Sequence, residues 1–319
     1  MDLRNLGESG LRISPLGVGA WAMGGGGWAF GWGPQDDRQS VAAIRAALEA
    51  GWNWIDTAAV YGLGHSEEVV AQALEGVAER PYVFTKCAMA WDADRRIENR
   101  LKRDSVLREC EASLRRLKLD CIDLYQIHWP NPAEDIEEGW EALQLLKAQG
   151  KVRWAGVCNF SVAQLERIQG LGPVTSLQPP YSIISPEVET DLLPHCLARG
   201  IGVIVYSPMK SGLLSGRMTP ERVRALPEDD FRKRAVHFQE PRLSRNLALA
   251  ALLGEIGAPH GRSAGEAAIA WCLRQGAVTG AIVGLRSPDQ VRGVAGAADF
   301  RLAPEEVERI GRFMAAHKV

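Results

Sequence analysis

Four side chains in this sequence suit a chemistry that needs all of them at once: Asp56, Tyr61, Lys86 and His128. A free phenol has a pKa of about 10 and donates protons poorly near neutrality. A nearby ammonium favours the phenolate and lowers that value. Lys86 is therefore expected to depress the pKa of Tyr61, and Asp56 to hold Lys86 charged and oriented. His128 would hydrogen-bond a carbonyl oxygen, and Tyr61 would give that oxygen a proton as hydride reaches the carbon. No protein side chain supplies hydride, so the chemistry requires a cofactor. Each residue alone has an ordinary explanation: a strand-end Asp caps a turn, a Lys is solvated, a His packs. The case rests on their meeting.

The elements that would bring them together are legible as an alternation. Short apolar, β-rich runs begin near Leu16, Trp52, Tyr82, Ile122, Val152, Thr175, Gly202 and Gly280. Stretches with helical periodicity lie between most of them. Residues Asp36–Ala50 put Val41, Ile44 and Leu48 on one face. Asp104–Leu117 does so with Leu107, Cys110, Leu114 and Leu117, and Ala133–Gln149 with Ile136, Trp140, Leu143 and Leu146. Gly51, Gly150 and Gly200 each follow a helical run and precede a strand, where glycine accepts the left-handed conformation that ends a helix. Repeated helix–glycine–strand units predict a closed (β/α)8 TIM barrel, one domain over residues 1–319. Leu3–Ile13, with its Gly7-Glu8-Ser9-Gly10 turn, predicts an N-terminal β-hairpin plugging one end. In such a barrel the strands deliver Asp56, Lys86, His128, Asn159, Gln178 and Tyr206-Ser207 to one mouth. Two long segments, 20–35 and 206–241, fall at the same end, and loops of that length are usually functional.

Composition narrows the classes. With 319 residues, 46% hydrophobic and 24% charged, the chain can bury a large core without disulfides or metal. A formal net charge of −2 gives no global field toward nucleic acid or an anionic membrane. The six cysteines are scattered with no C-x-x-C pair, which argues against zinc and for reduced thiols in a cytoplasmic protein. No signal-like apolar run opens the chain, and the longest apolar stretch, Leu247–Leu253, is too short for a bilayer. Oligomeric state is not readable. Gly17-x-Gly19-x-x-Ala22 formally fits a dinucleotide fingerprint, but a Gly24–Gly27 run follows where a helix should open, so a loop at the mouth is expected instead. Trp21, Trp28, Trp32, Trp91 and Trp129 are candidates to wall an apolar pocket there, with Trp21 and Trp129 favoured because each flanks a proposed site segment.

The sequence resembles the aldo-keto reductase family over essentially its whole length. The matching pieces run from Gly51 to Gly62 (Gly-Trp-Asn-Trp-Ile-Asp-Thr-Ala-Ala-Val-Tyr-Gly), then Phe84-Thr85-Lys86, Ser113-Leu114-Arg115-Arg116-Leu117 and Ile122-Asp123-Leu124-Tyr125-Gln126-Ile127-His128. Gly156-Val157-Cys158-Asn159-Phe160 and Tyr206-Ser207-Pro208 follow in the family's order. The resemblance implies the tetrad Asp56, Tyr61, Lys86 and His128, and NADPH bound in an extended pose, with NADH as the alternative. It implies carboxamide contacts from Cys158, Asn159 and Gln178, and Tyr206 stacked on the nicotinamide. Ser207, Pro208 and Leu213 would line the pyrophosphate path, and Trp21 would serve cofactor and substrate, with Trp129 on the substrate side.

Gly284-Leu285-Arg286-Ser287-Pro288-Asp289-Gln290 resembles the family's adenosine-phosphate site, at an expected helix start. Gly284 and Gln290 are cofactor candidates, and Arg286 is the candidate for the 2′-phosphate. The sequence departs from the pattern at Cys158, where Ser is common, at Val294, where Asn is frequent, and at Gly284, where many members are basic. The implied activity is reduction of aldehyde or ketone carbonyls, acting on a small-molecule substrate. A sugar or alcohol dehydrogenase and a non-catalytic NADPH-sensing regulatory subunit are the alternatives.

Overall fold

A computed structural model describes residues 1–318. The chain opens with strands β1 (Arg4–Asn5) and β2 (Arg12–Ile13), paired antiparallel around a turn in which Gly7 and Gly10 take positive φ. The barrel then begins with β3 (Leu16–Gly19), β4 (Trp54–Asp56) and β5 (Tyr82–Cys87). A small hairpin of β6 (Met89–Trp91) and β7 (Ile97–Asn99) interrupts it. It resumes with β8 (Ile122–Ile127), β9 (Val152–Cys158), β10 (Ser176–Gln178), β11 (Gly202–Tyr206) and β12 (Val278–Gly284). These eight strands are parallel and close on themselves, β12 pairing with β3 through Ala281 and Leu16. All eight expected strands are present, five starting at the expected residue and three, at Trp54, Ser176 and Val278, shifted by one or two.

Helices α1 (Asp37–Glu49), α2 (His65–Leu74), α3 (Arg103–Leu117), α4 (Ile136–Ala148), α5 (Val162–Gln169) and α6 (Leu192–Ala198) each follow a strand. After β11 come α7 (Pro220–Arg224), α8 (Arg242–Gly257) and α9 (Ala264–Leu273), and after β12, α10 (Pro288–Arg292) and α11 (Pro304–Ala316). Local chemistry sets their ends. The Asp36 carboxylate accepts the Arg38 N–H at 2.8 Å and starts α1. Ser161 and Gln164 form a capping box on α5. Gly51, Gly150 and Gly200 are left-handed, with φ of 86°, 75° and 65°, as helix ends before strands require. The predicted face of α4 is fully buried. That of α1 is rotated: Ala43, Ile44 and Ala47 are buried while Val41 and Leu48 are only partly so, because small alanines allow the closer approach.

Two cores result. One lies between sheet and helices. The other fills the barrel, where Trp54, Phe84, Leu124, Ile204 and Ile282 meet Leu6, Leu11 and Ile13 of the plugging hairpin. A Cβ on Gly17 would lie 2.2 Å from the Trp54 indole. Gly17 is therefore a packing glycine, and Ala22 sits in a single 3-10 turn, Trp21–Gly24. Among the described residues no helix is long and apolar enough to cross a membrane.

Candidate active site

Asp56 closes β4 and Lys86 stands one residue before the end of β5, on neighbouring strands joined through Asp56 and Phe84. Both are almost wholly buried, at 3% and 1% exposure. The Lys86 ammonium has three N–H groups. It donates to Asp56 Oδ1 at 2.6 Å, to the Thr57 carbonyl at 2.8 Å and to Tyr61 Oη at 3.3 Å. Its direction is therefore fixed. Because Tyr61 Oη accepts from Lys86, the phenol's own proton is left for a partner in the groove.

Tyr61 is carried by the turn between β4 and α2. Gly24 and Gly62 press the first loop onto its backbone: a Cβ on Gly24 would lie 2.6 Å from the Gly62 nitrogen, and one on Gly62, where φ is 63°, would lie 2.3 Å from the Gly24 oxygen. His128 follows β8 directly, its N–H bonded to the Cys87 carbonyl at 3.1 Å. Its ring stands edge-on to Tyr61 with centroids 5.6 Å apart. The four residues thus meet at one place.

A shell of amides surrounds them. Gln178 Nε2 donates to Asp56 Oδ2 at 2.8 Å and to Gln126 Oε1 at 3.2 Å, while Gln126 Nε2 reaches the same Asp56 oxygen at 3.4 Å. Asn159, left-handed at φ 62°, donates to the His128 carbonyl at 2.9 Å and accepts from Tyr206 Oη at 2.9 Å. Gln126 was missed by sequence reasoning. The available signal was its place in β8: it shares the inward side with Leu124, where a polar residue needs a partner.

Electrostatics here correct one expectation. Burial is the largest influence on Tyr61 and raises its pKa. Lys86 opposes and Asp56 adds, and the phenol is pushed up to about 12 rather than depressed. Burial pulls Lys86 down, but Asp56 and Tyr61 act against it and leave the ammonium above its usual value. Burial, then the Lys86 charge, holds His128 well below the ordinary imidazole range, so its ring is neutral. Burial likewise raises the Cys158 thiol.

A single groove of about 880 Å³ is lined by Asp56, Tyr61, His128, Asn159, Gln178, Tyr206, Ser207, Pro208, Gly284, Arg286 and Gln290. Trp21, Trp28, Trp32 and Trp129 line it as well. Four expected residues do not. Lys86 is buried, its ammonium bonded to Asp56, the Thr57 carbonyl and Tyr61 Oη. Cys158 is buried and turns toward Gln126 Oε1 at 3.7 Å. Leu213 packs into the core at the start of a 3-10 turn, leaving Gly212 and Ser215 on the wall. Trp91 lies under the Arg116 guanidinium, 5.7 Å from its ring centre. Arg217 also lines the groove without having been singled out.

The donor set suits a dinucleotide: amides beside the phenol, and guanidinium groups at Arg217 and Arg286 elsewhere in the same groove. The Aldo/keto reductase family model matches residues 15–314. The chain belongs to the aldo-keto reductase family. This aldo-keto reductase is 34% identical over 317 residues to the aldo-keto reductase YhdN of Bacillus subtilis, covering 98% of this chain and 94% of the relative. It is 33% identical over 312 residues to an NADH-specific methylglyoxal reductase of Escherichia coli, at 93% and 94% coverage. Among solved structures, the glycerol dehydrogenase AKR11B4 from Gluconobacter oxydans superimposes with a TM-score of 0.89 at 35% identity, over 99% of this chain and 96% of that one. The protein is accordingly a nicotinamide-dependent oxidoreductase acting on small carbonyl compounds.

Proposed function

We propose that this aldo-keto reductase reduces aldehydes or ketones to alcohols with Tyr61 as general acid, and that it takes NADPH in preference to NADH. The observation that carries the first part is the Lys86 ammonium, fixed by Asp56 and Thr57 and donating to Tyr61 Oη at 3.3 Å beside His128. A bound nicotinamide cofactor supplies the hydride. Neutral His128 donates an N–H to the carbonyl oxygen and holds it near Tyr61. The phenol stays protonated until charge develops on that oxygen, then transfers its proton, and Lys86 stabilises the phenolate left behind. Gln178 and Gln126 hold the second oxygen of Asp56, so the carboxylate cannot turn away from Lys86. Run in reverse, the same groups oxidise an alcohol, a direction to which the glycerol dehydrogenase likeness lends weight.

The substrate end supports a carbonyl with an apolar or aromatic substituent. Trp21, Trp28, Phe30, Val60, Met89 and Trp129 wall it. The Trp21 indole N–H is spent on the Phe30 carbonyl at 3.0 Å and that of Trp28 on the Gly25 carbonyl at 3.1 Å, so neither is left for a sugar hydroxyl. Arg286, a guanidinium in the groove, is read as the partner of the 2′-phosphate. The six free cysteines support a cytoplasmic setting.

The test is steady-state oxidation of NADPH and of NADH with a panel of aromatic and aliphatic aldehydes, ketones and sugars, alongside cofactor binding. Turnover is expected, fastest with aromatic aldehydes. Tight cofactor binding with no turnover on any of them would overturn the reading in favour of a sensing subunit.

A further inference from the structure

Arg286 is held in the groove by the first loop. Its Nε donates to Gln35 Oε1 at 2.5 Å, its Nη1 to the Trp32 carbonyl at 3.5 Å and its Nη2 to the Pro34 carbonyl. Gln35 answers with its own amide, donating to the Arg286 carbonyl at 3.0 Å and to Ser40 Oγ at 3.0 Å. The Arg286 N–H is fixed in turn by Gln290 Oε1 at 2.7 Å. Residues far apart in the chain are thus clasped on both sides of one arginine.

The nature of those partners matters more than their number. All are neutral oxygens. Arg232 lines the same groove but meets the Asp230 carboxylate at 2.6 and 3.0 Å, which cancels its charge. Arg286 is oriented without being neutralised. A guanidinium has five N–H groups; three are spent on the loop, and two remain with the full charge. A part-buried cation held in one direction, with donors to spare, is a seat for an anion.

We propose that Gln35 is a positioning residue for cofactor choice: it fixes the Arg286 guanidinium for the 2′-phosphate while leaving its charge intact. This deepens the preceding proposal and rests on its reading that Arg286 meets that phosphate. The physical gain is preorganisation. An arginine ordered beforehand avoids an entropic cost on binding worth about threefold to tenfold in affinity. The amide also explains itself: a carboxylate at position 35 would orient Arg286 equally well but cancel the charge the phosphate needs.

The experiment measures equilibrium dissociation constants for NADPH and NADH, and for the fragments adenosine 2′,5′-bisphosphate and AMP, on the intact chain and three variants. Gln35→Ala is expected to weaken NADPH and the bisphosphate by about threefold to tenfold, with NADH and AMP nearly unchanged. Gln35→Glu is expected to weaken the same two ligands further, by about tenfold or more, because it pairs with Arg286. Equal shifts for both cofactors, or no shift in either Gln35 variant, would overturn the proposal. Arg286→Ala separates the two layers. If it weakens NADPH selectively while the Gln35 variants do not, Gln35 has no part and the Arg286 reading stands. If it affects NADPH and NADH alike, the Arg286 reading itself fails.

Discussion

At the scale of single residues, the proposed mechanism divides the site into groups that keep their protons and one that gives its proton up. Tyr61, pushed up to about 12, is a phenol at any working pH, and His128 is held well below the ordinary imidazole value and is neutral. The sign follows directly. Proton donation needs the protonated phenol, so reductive activity is present below the Tyr61 value and is lost only as pH rises toward it. His128 contributes no limb near its ordinary value of about 6.5. A pH profile of kcat/KM for carbonyl reduction should therefore be flat from about pH 6 to 9. An inflection near pH 6.5 would show that His128 titrates in the free enzyme. The four residues were legible in the sequence because each ends an apolar strand or follows one closely. The direction of the Tyr61 shift was not legible. Proximity to Lys86 can be inferred from neighbouring strands, but the extent of burial that outweighs it depends on the assembled loops.

At the scale of elements, the join between β5 and β6 carries a half-buried switchable group. Glu109, on α3, accepts the Ala88 N–H at 3.0 Å and the Ser105 hydroxyl at 3.1 Å. Burial raises its carboxyl to about 7, against the weaker pulls of Ser105, the Ala88 and Met89 amides and Arg116. Ala88 is left-handed, at φ 75°, and delivers Met89 to the groove. The folded pKa lies above the unfolded one, so this stabilising contribution is complete below about pH 4.5 and is lost as pH rises through about 7. Glu109→Gln should remove that slope: parent minus variant stability should fall by about 1–3 kcal/mol between pH 5 and 8, read from denaturant melts. A constant difference would show that Glu109 ionises normally. The sequence showed Glu109 only as one acidic residue on a periodic helix. The clasp from Gln35 to Arg286 was equally hidden, since it depends on how the first loop lies across the groove.

At the scale of the whole molecule, the barrel is a packed body whose interior supports the catalytic floor. Trp54 fills it, in contact range of Phe84 with ring centres 5.3 Å apart, and its indole N–H meets the Ser14 carbonyl at 2.9 Å. Trp54→Ala should cost roughly 3–5 kcal/mol, measured as a lowered denaturation midpoint. A loss below about 1 kcal/mol would mean the interior does not depend on that side chain. Eight strands, their order and the hairpin plug were all readable, because period and punctuation recur along the chain. The sequence left open which of Trp52 and Trp54 points into the barrel. The two share a face in any strand, and it is the lead-in at Trp52 lying outside β4 that separates them.

In the proposed mechanism one phenol delivers the proton. Tyr61→Phe, assayed for turnover with an aromatic aldehyde and for NADPH affinity and thermal stability, tests it most directly. A fall in kcat of at least about a hundredfold is expected, with affinity and stability preserved. Near-normal turnover in a folded, cofactor-binding variant would contradict it.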